Sequence, residues 1–421
     1  MVVMPMQVPP RFMRLFHACA EAGGRALVVG GAVRDHCRGE KPKDLDVEVH
    51  GLDPGVLEAV LKALGRVGEV GRSFGVYKLR LGGDEVDVSV PRRDRVGDGP
   101  GRGHKGIQAE ADPFLGVKEA ARRRDLTINA IAFDPLTGVY EDPWGGIQDI
   151  ERGILRAVDA ATFVEDPLRA LRVAQFAGRF GYAVAPDLLA LCATMRLTEL
   201  PSERVWGEVE KLLSRSPRPS IGWAVAQAAG MWAQVVPEWA ARVPSSAVDP
   251  AVVPPLDPVR AGVGALLDRV AAVPVDGAQR RLALLLAAAC AGLSVEQAES
   301  ALVRLNVQRI DGYRVRLQVL ALVGESRRVP ATDSEILRAA DRCDVELLAR
   351  LVDSETLLVR AAALGVLRQP LPALVRGSDL LALGYTPGPA MGEVLAALRE
   401  EQLAGRVTTS EQAITWVRGR G

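Results

Sequence analysis

The sequence predicts an α/β head, a small mixed sheet with helices, followed by a remainder built of helices alone. Three observations carry this reading. Residues 25 to 150 mix short runs of branched apolar residues with two helical stretches, the pattern of an α/β layer. From about residue 160 onward Leu, Ala, Val and Arg recur at three- and four-residue spacing, as in helices with one buried face. Within that second part Ser294-Val295-Glu296-Gln297 and Thr332-Asp333-Ser334-Glu335 have the form of capping boxes, which start helices.

The first element is a buried strand over Ala26-Leu27-Val28-Val29, which delivers Gly30-Gly31-Ala32-Val33-Arg34-Asp35 at its tip. Glycines there let the backbone approach an anion, so the turn reads as a phosphate site. Next comes Asp44-Leu45-Asp46-Val47-Glu48-Val49, whose period of two places Asp44 and Asp46 on one face of a strand. Paired carboxylates suit a hard divalent cation such as Mg2+, which takes oxygen ligands, and two ions can serve the attacking and leaving oxygens of a phosphoryl transfer. A phosphate turn beside a metal pair points to nucleotidyl transfer. The chain has neither G-x-x-x-x-G-K-[ST] nor the dinucleotide fingerprint spacing. The strand Val86-Asp87-Val88-Ser89-Val90 carries Asp87 as a half-buried residue that can face solvent.

Arg123-Arg124-Asp125-Leu126-Thr127-Ile128-Asn129-Ala130 is a dense polar cluster with guanidinium groups for phosphate and a carboxylate able to accept ribose hydroxyls. Glu141 to Ile150 is turn-rich and reads as a hinge-like link to the helices. Glu165-Asp166-Pro167-Leu168-Arg169-Ala170-Leu171-Arg172 opens a helix in which Asp166, Arg169 and Arg172 recur every three residues, setting an acceptor beside two donors on one face. The proline-rich stretch 243–258 reads as a linker, and Asp379 to Glu393 holds Gly384 and Gly388 before a helix whose N–H groups suit a phosphate.

At 421 residues, with 48% hydrophobic and 25% charged, the chain has the length and composition of a folded protein of two or more compact units. Lys+Arg and Asp+Glu are both 52, so there is no net positive field to attract nucleic acid, and any RNA contact rests on local patches. Candidate patches are Arg92, Arg93, Arg95, Arg102, His104 and Lys105 in a glycine-rich loop, then Arg122 to Arg124, then Arg304, Arg309, Arg314 and Arg316. Cysteines 19, 37, 192, 290 and 343 lack C-x-x-C spacing and read as buried thiols rather than zinc ligands or a disulfide framework. Residues 1–10 carry no targeting pattern. The longest apolar run, Leu282 to Leu293, falls short of the ~20 residues that span a bilayer, so a cytoplasmic chain without a membrane partner is expected.

On these motifs, in this order over roughly residues 25 to 215 and ending with Ser202-Glu203-Arg204-Val205-Trp206-Gly207-Glu208, the chain resembles bacterial tRNA nucleotidyltransferases of the CCA-adding enzyme and poly(A) polymerase family. The resemblance implies a nucleotidyltransferase head over 25–150, after an N-terminal segment 1–24, then an elongated all-α neck over 151–215, body over 216–370 and tail over 371–421. It implies addition of C, C and A to the 3′ end of tRNA from CTP and ATP, with Asp44 and Asp46 holding two Mg2+ ions; Asp87 stands where relatives also carry an acidic residue, and is either a third carboxylate of the metal site or a strand residue facing solvent. Gly30, Gly31 and Arg34 would bind the triphosphate, and Arg124, Asp125 and Asn129 would handle ribose and phosphate. Asp166 and Arg169 would read the incoming base, with Arg172 nearby on the nucleotide. The alternatives are a poly(A) polymerase, which shares the head and neck, and an enzyme that adds only CC or only A. No histidine follows His104, so the His-Asp phosphohydrolase module that some relatives carry in their C-terminal half cannot operate here.

Overall fold

The computed structural model describes residues 4–42, 44–69, 75–96, 107–240 and 262–420. These form two compact units, one of residues 4–204 with 221–234, the other of 205–220, 235–240 and 262–420.

The first unit opens with helix α1 (Pro10–Glu21), which buries Phe12, Leu15, Phe16 and Cys19. Strand β1 (Arg25–Val29) follows, then α2 (Gly31–Cys37), β2 (Asp46–His50) and α3 (Pro54–Leu64). The sheet is extended by β3 (Arg66–Glu69), β4 (Val76–Leu81) and β5 (Asp84–Ser89). A separate antiparallel ladder pairs β6 (Arg92–Val96) with β7 (Ile107–Ala111), so the stretch read as a glycine-rich loop has paired arms. Arg102, His104 and Lys105 lie outside the described residues. Then come α4 (Val117–Arg122), a 3-10 turn (Thr127–Asn129), β8 (Ala132–Asp134), β9 (Val139–Glu141) and α5 (Gly146–Arg152). The seven-stranded sheet has the order β3-β4-β5-β2-β1-β8-β9 and is mixed, β2 and β5 running parallel and the other neighbours antiparallel. Strand β1 sits between β2 and β8, which is why Ala26 to Val29 are all buried. Residues 25 to 150 thus hold more helices than the two that the pattern predicts; α2, α4 and α5 are too short to display a helical period.

The part expected to be all helix starts with a two-residue strand, β10 (Ile154–Leu155), paired in parallel with β11 (Ala183–Val184) around α6 (Ala160–Phe163) and α7 (Leu168–Phe180). Strands of that length leave no alternation to read. Helices α8 (Pro186–Thr194), α9 (Ser202–Arg215), α10 (Pro219–Ala228) and α11 (Met231–Val235) follow, and α9 and α10 run across the division between units.

The second unit is helical. It contains α12 (Pro237–Ala240), α13 (Val263–Ala272), α14 (Ala278–Ala289), α15 (Val295–Arg304), α16 (Val315–Glu325), α17 (Asp333–Ala340), α18 (Val345–Val352) and α19 (Glu355–Ala363). The apolar run from Leu282 is the core of α14, buried from Leu282 to Ala289 against α13, α16 and α18. Among the described residues no helix is long and apolar enough to cross a membrane. Both capping boxes are formed, by Ser294 with Gln297 and Thr332 with Glu335. The chain ends in α20 (Gly377–Ala382), α21 (Pro389–Leu403) and α22 (Ser410–Arg418), which share an apolar cluster of Val375, Leu380, Leu398, Val407, Ala413 and Val417. All five cysteines are buried thiols, and residues 241–261, which include the whole of the expected linker, lie outside the described residues.

Candidate active site

Strand register assembles the first part of the site. Val29, the last residue of β1, faces Asp46 of β2 on one side and Ala132 of β8 on the other, and Asp46 faces Asp87 of β5. The Gly30 turn, the first carboxylate of β2, Asp87 and the 3-10 turn before β8 therefore lie at the same end of four adjacent strands. Gly30 turns the chain from β1 into α2 with φ at +72°, a left-handed conformation that disfavours any side chain. A Cβ there would lie 2.9 Å from Nη1 of Arg124, and Asp46 Oδ2 would lie 3.9 Å away. Glycine thus admits the Arg124 guanidinium to the turn, beside the Asp46 carboxylate. Arg124 also donates to the Asn129 carbonyl at 3.3 Å and lies 3.9 Å from Glu48 Oε2. Glu48 is in turn 3.3 Å from His50 Nε2.

Asp44 departs from its expected place. It lies in a bend ahead of β2 rather than on the strand, because pairing with β1 and β5 begins only at Asp46. The two charges still interact. The Asp46 carboxyl is held above its usual range, first because surrounding protein displaces water, then by repulsion from Asp87, opposed by Arg124 and reinforced by Asp44. Asp44, Asp46 and Asp87 outnumber the cations set against them, Arg124 and Lys78, and a divalent ion would relieve the excess. The donors are hard oxygens, so the residues present fit magnesium. Among the described residues no group of three or more His, Cys, Asp or Glu forms a ready metal cage. A cation that keeps several waters and draws other oxygens from substrate phosphates needs only one or two carboxylates. Asp87 has Lys78 Nζ at 3.5 Å and stays half exposed.

A buried chain of polar contacts ties the turn to α7. Arg34 donates to Asn129 Oδ1 at 2.7 Å, Asn129 donates through Nδ2 to Asp125 Oδ1 at 2.8 Å, and Asp125 Oδ2 receives Arg172 Nε at 2.8 Å. Arg34 and Arg172 both lie over the Phe176 ring, each 5.2 Å from its centroid. Burial drives the Asp125 carboxyl upward, but the Arg172 charge and the hydrogen bonds from Asn129, Arg172 and the Leu126 amide outweigh it and hold the group below the usual aspartate range. Arg34, expected on a triphosphate, is buried and bonded to Asp35 as well as Asn129, so it braces the turn through Asn129. Gly31 follows Gly30 in α2, with space for a Cβ 3.5 Å from Arg34 Nη2.

At the entrance to α7, Asp166 precedes the helix and accepts the Leu168 amide at 3.1 Å, capping it rather than lying on its face. Its two oxygens also receive Arg204 Nη2, at 2.9 and 3.2 Å. Arg169 turns to backbone, donating to the carbonyls of Thr162 at 2.5 Å and Arg123 at 2.6 Å. It therefore fixes the peptide next to Arg124. Arg204 and Glu48 carry contacts at this site that sequence reasoning did not single out. Arg204 stands within Ser202 to Glu208, a segment marked by its motif, whereas Glu48 was visible only as the next residue on the Asp46 face. The Glu141 to Ile150 link, expected to be hinge-like, is closely packed. Asp142 accepts the amides of Gly146 and Ile147 at 2.7 and 2.8 Å, and a Cβ on Gly146 would lie 2.2 Å from the Thr127 carbonyl.

Residues 26–156 match the family model of the poly A polymerase head domain, which with this fold and site defines a nucleotidyltransferase. The chain is 34% identical over 419 residues to the multifunctional CCA protein of Stenotrophomonas maltophilia, covering 90% of this chain and 99% of that one. It is 41% identical over 215 residues to the multifunctional CCA protein of Nitrosococcus oceani, half of each chain. The crystal structure of the Bacillus stearothermophilus CCA-adding enzyme in complex with CTP superposes with a TM-score of 0.67 at 25% identity over 98% of both chains. The Thermotoga maritima CCA-adding enzyme complexed with tRNA shares the fold, with a TM-score of 0.65 at 21% identity over 98% of this chain and 96% of that one. This chain belongs to the CCA-adding enzyme family of tRNA nucleotidyltransferases.

Proposed function

We propose that this enzyme adds C, C and A to the 3′ end of tRNA from CTP and ATP, with the reaction at the end of the sheet where Gly30, Asp46 and Arg124 meet. That meeting carries the reading, since it sets a glycine turn and a guanidinium suited to phosphates beside carboxylates suited to a cation. The 3′ oxygen of the RNA forms a bond to the α-phosphorus, and pyrophosphate leaves with the bond it breaks. Asp44 and Asp46 would hold magnesium, two ions by the family resemblance and with Asp87 alongside, and the metal supplies Lewis acidity that lowers the pKa of the hydroxyl and steadies the leaving group.

The protein's own groups position the reactants. Gly30, Gly31 and Arg124 receive the triphosphate, with Arg34 bracing the turn through Asn129. Asp125 and Asn129 are oriented toward the ribose by Arg172 and Arg34. Asp166 presents its carboxylate to the base while Arg204 holds it, and Arg169 fixes the strand of chain that carries Arg124. Arg172 lies next to the nucleotide at the end of that network. Residues 25–150 act as head, 151–215 as neck, 216–370 as body and 371–421 as tail, the last supported by its own apolar cluster. A cytoplasmic location is part of the proposal and follows from the substrate.

The head model is shared with poly(A) polymerases, so poly(A) synthesis is the second reading. Likeness to a CCA protein along nearly the whole chain supports the first. The test uses tRNA ending at the discriminator base, with CTP and ATP separately and together. Growth by two residues with CTP and completion on adding ATP is expected. Long A tails on a tRNA minihelix in excess ATP would establish the second reading instead, while arrest after CC, or addition of A alone to a CC end, would identify a partial enzyme.

A further inference from the structure

We infer that the Gln308–Arg316 loop of the helical body is an RNA phosphate contact, formed by Arg309, Arg314 and Arg316. The loop is a tight hairpin. Ile310 and Tyr313 exchange both backbone hydrogen bonds, at 3.0 and 2.9 Å, around an Asp311-Gly312 turn in which both residues have positive φ, 48° and 82°. That is the two-residue turn whose twist matches a hairpin, and Asp-Gly suits it. The Arg316 amide then donates to the Gln308 carbonyl at 3.3 Å, closing the loop on itself. Arg309 and Arg314 flank the bonded pair, and Arg314 is the N-cap of α16 with no side-chain cap bond.

The loop is held from below. Asp311 Oδ2 accepts from Gln279 Nε2 of α14 at 2.9 Å, Tyr313 is half buried, and Val307 and Val315 on either side are fully buried. Its conformation is therefore set before any partner arrives, which lowers the entropy lost on binding. Arg309 and Arg314 are exposed and Arg316 half exposed, and none of the three forms an ion pair with a carboxylate among the described residues. Other arginines of the same unit do have carboxylate partners, as Arg342 with Glu325, Arg360 with Asp333 and Arg399 with Asp341 show. Arg309 and Arg314 stand on either side of the Ile310–Tyr313 pair and so flank a single turn. A phosphate would supply their counter-charge, and an RNA backbone offers several at regular intervals. The molecule has no net charge to attract RNA as a whole, so affinity must come from local sites of this kind.

This inference rests on the reading that the enzyme uses tRNA, and the test separates the two. The full-length chain carrying R309E and R314E together is compared with the parent at several salt concentrations, measuring KM for tRNA, KM for CTP and kcat at saturating tRNA. The expected result is an increase of about tenfold in KM for tRNA, with the slope of log KM against log salt reduced by roughly 1.4 to 1.8 for two lost phosphate contacts. KM for CTP and kcat stay as in the parent, and R309K with R314K restores KM for tRNA. A tRNA KM and salt slope equal to the parent's overturn the inference while leaving the activity standing. A parent enzyme that adds nothing to tRNA overturns both.

Discussion

Arg204 and Asp166 meet across a separation of 38 residues, Nη2 of one lying 2.9 and 3.2 Å from the two carboxylate oxygens of the other. The pair joins the motif that opens α7 to the motif that opens α9. An acid proposed to read a base must keep one orientation between successive nucleotides, and Arg204 engages both of its oxygens where the Leu168 amide, at 3.1 Å, engages one. Arg204→Ala is expected to lower the preference for CTP over UTP at least tenfold, about 1.4 kcal/mol, with Arg204→Lys keeping part of it. Comparing kcat/KM for the four nucleotides checks this, and an equal loss on all four would make Arg204 a residue of the fold alone.

Asp44→Asn and Asp46→Asn are each expected to cut nucleotide addition by about a thousandfold or more, roughly 4 kcal/mol of barrier. The Asp46 carboxyl is strained by desolvation and by Asp87, so the Asn variant should unfold at a temperature no lower than the parent's. Single-turnover rates and thermal unfolding test both statements. A variant that keeps more than about a tenth of the parent rate would remove its carboxylate from the metal site.

Gly30→Ala introduces two faults, a side chain at φ +72° and a Cβ 2.9 Å from Arg124. The expected cost is about 1 kcal/mol or more of stability, together with a higher KM for both CTP and ATP as Arg124 is displaced. Equilibrium denaturation and initial rates measure the two effects. Unchanged KM values would mean that Arg124 does not touch the nucleotide.

Acid should uncouple Asp125 from Arg172. The folded state holds this carboxyl below its unfolded value of about 3.9, so the folded state binds the proton less readily. The stabilisation is fully present above that unfolded value and is lost as pH falls through the lower folded one. Asp125→Asn should therefore destabilise the enzyme at neutral pH and flatten the fall in unfolding free energy below about pH 4. Parallel pH dependence in parent and variant would count against the assignment.

Much of this site was legible because its motifs are local. Gly30 follows a buried run, Asp46 begins an alternating one, and Asp125 and Asn129 lie four residues apart in a single polar cluster. What could not be read was pairing over distance. Spacing of two put Asp44 on a strand face, yet a strand starts where partners start, and those partners are Val29 and Asp87. Spacing of three put Asp166 and Arg169 side by side, whereas the helix begins only at Leu168, and each residue instead takes a partner from another element. The resemblance assigns Arg34 to the triphosphate, and nothing near it in sequence reveals that Phe176, Phe180 and Asn129 surround its guanidinium.

Asn129 has a bearing on how the two arms of the site keep step. Its amide accepts from Arg34 on one side and gives to Asp125 on the other, so its dipole is aligned between a cation and an anion. Turning the group over would set nitrogen against guanidinium and oxygen against carboxylate, losing both contacts at once. The linkage has a sense of direction, and it behaves as a latch with one closed setting. A carboxylate at this position could keep Arg34 but would repel Asp125, and a hydroxyl would be too short to span both. Among uncharged side chains a carboxamide supplies both ends of the span, so the glycine turn and helix α7 are registered to one another by a group that adds no charge of its own.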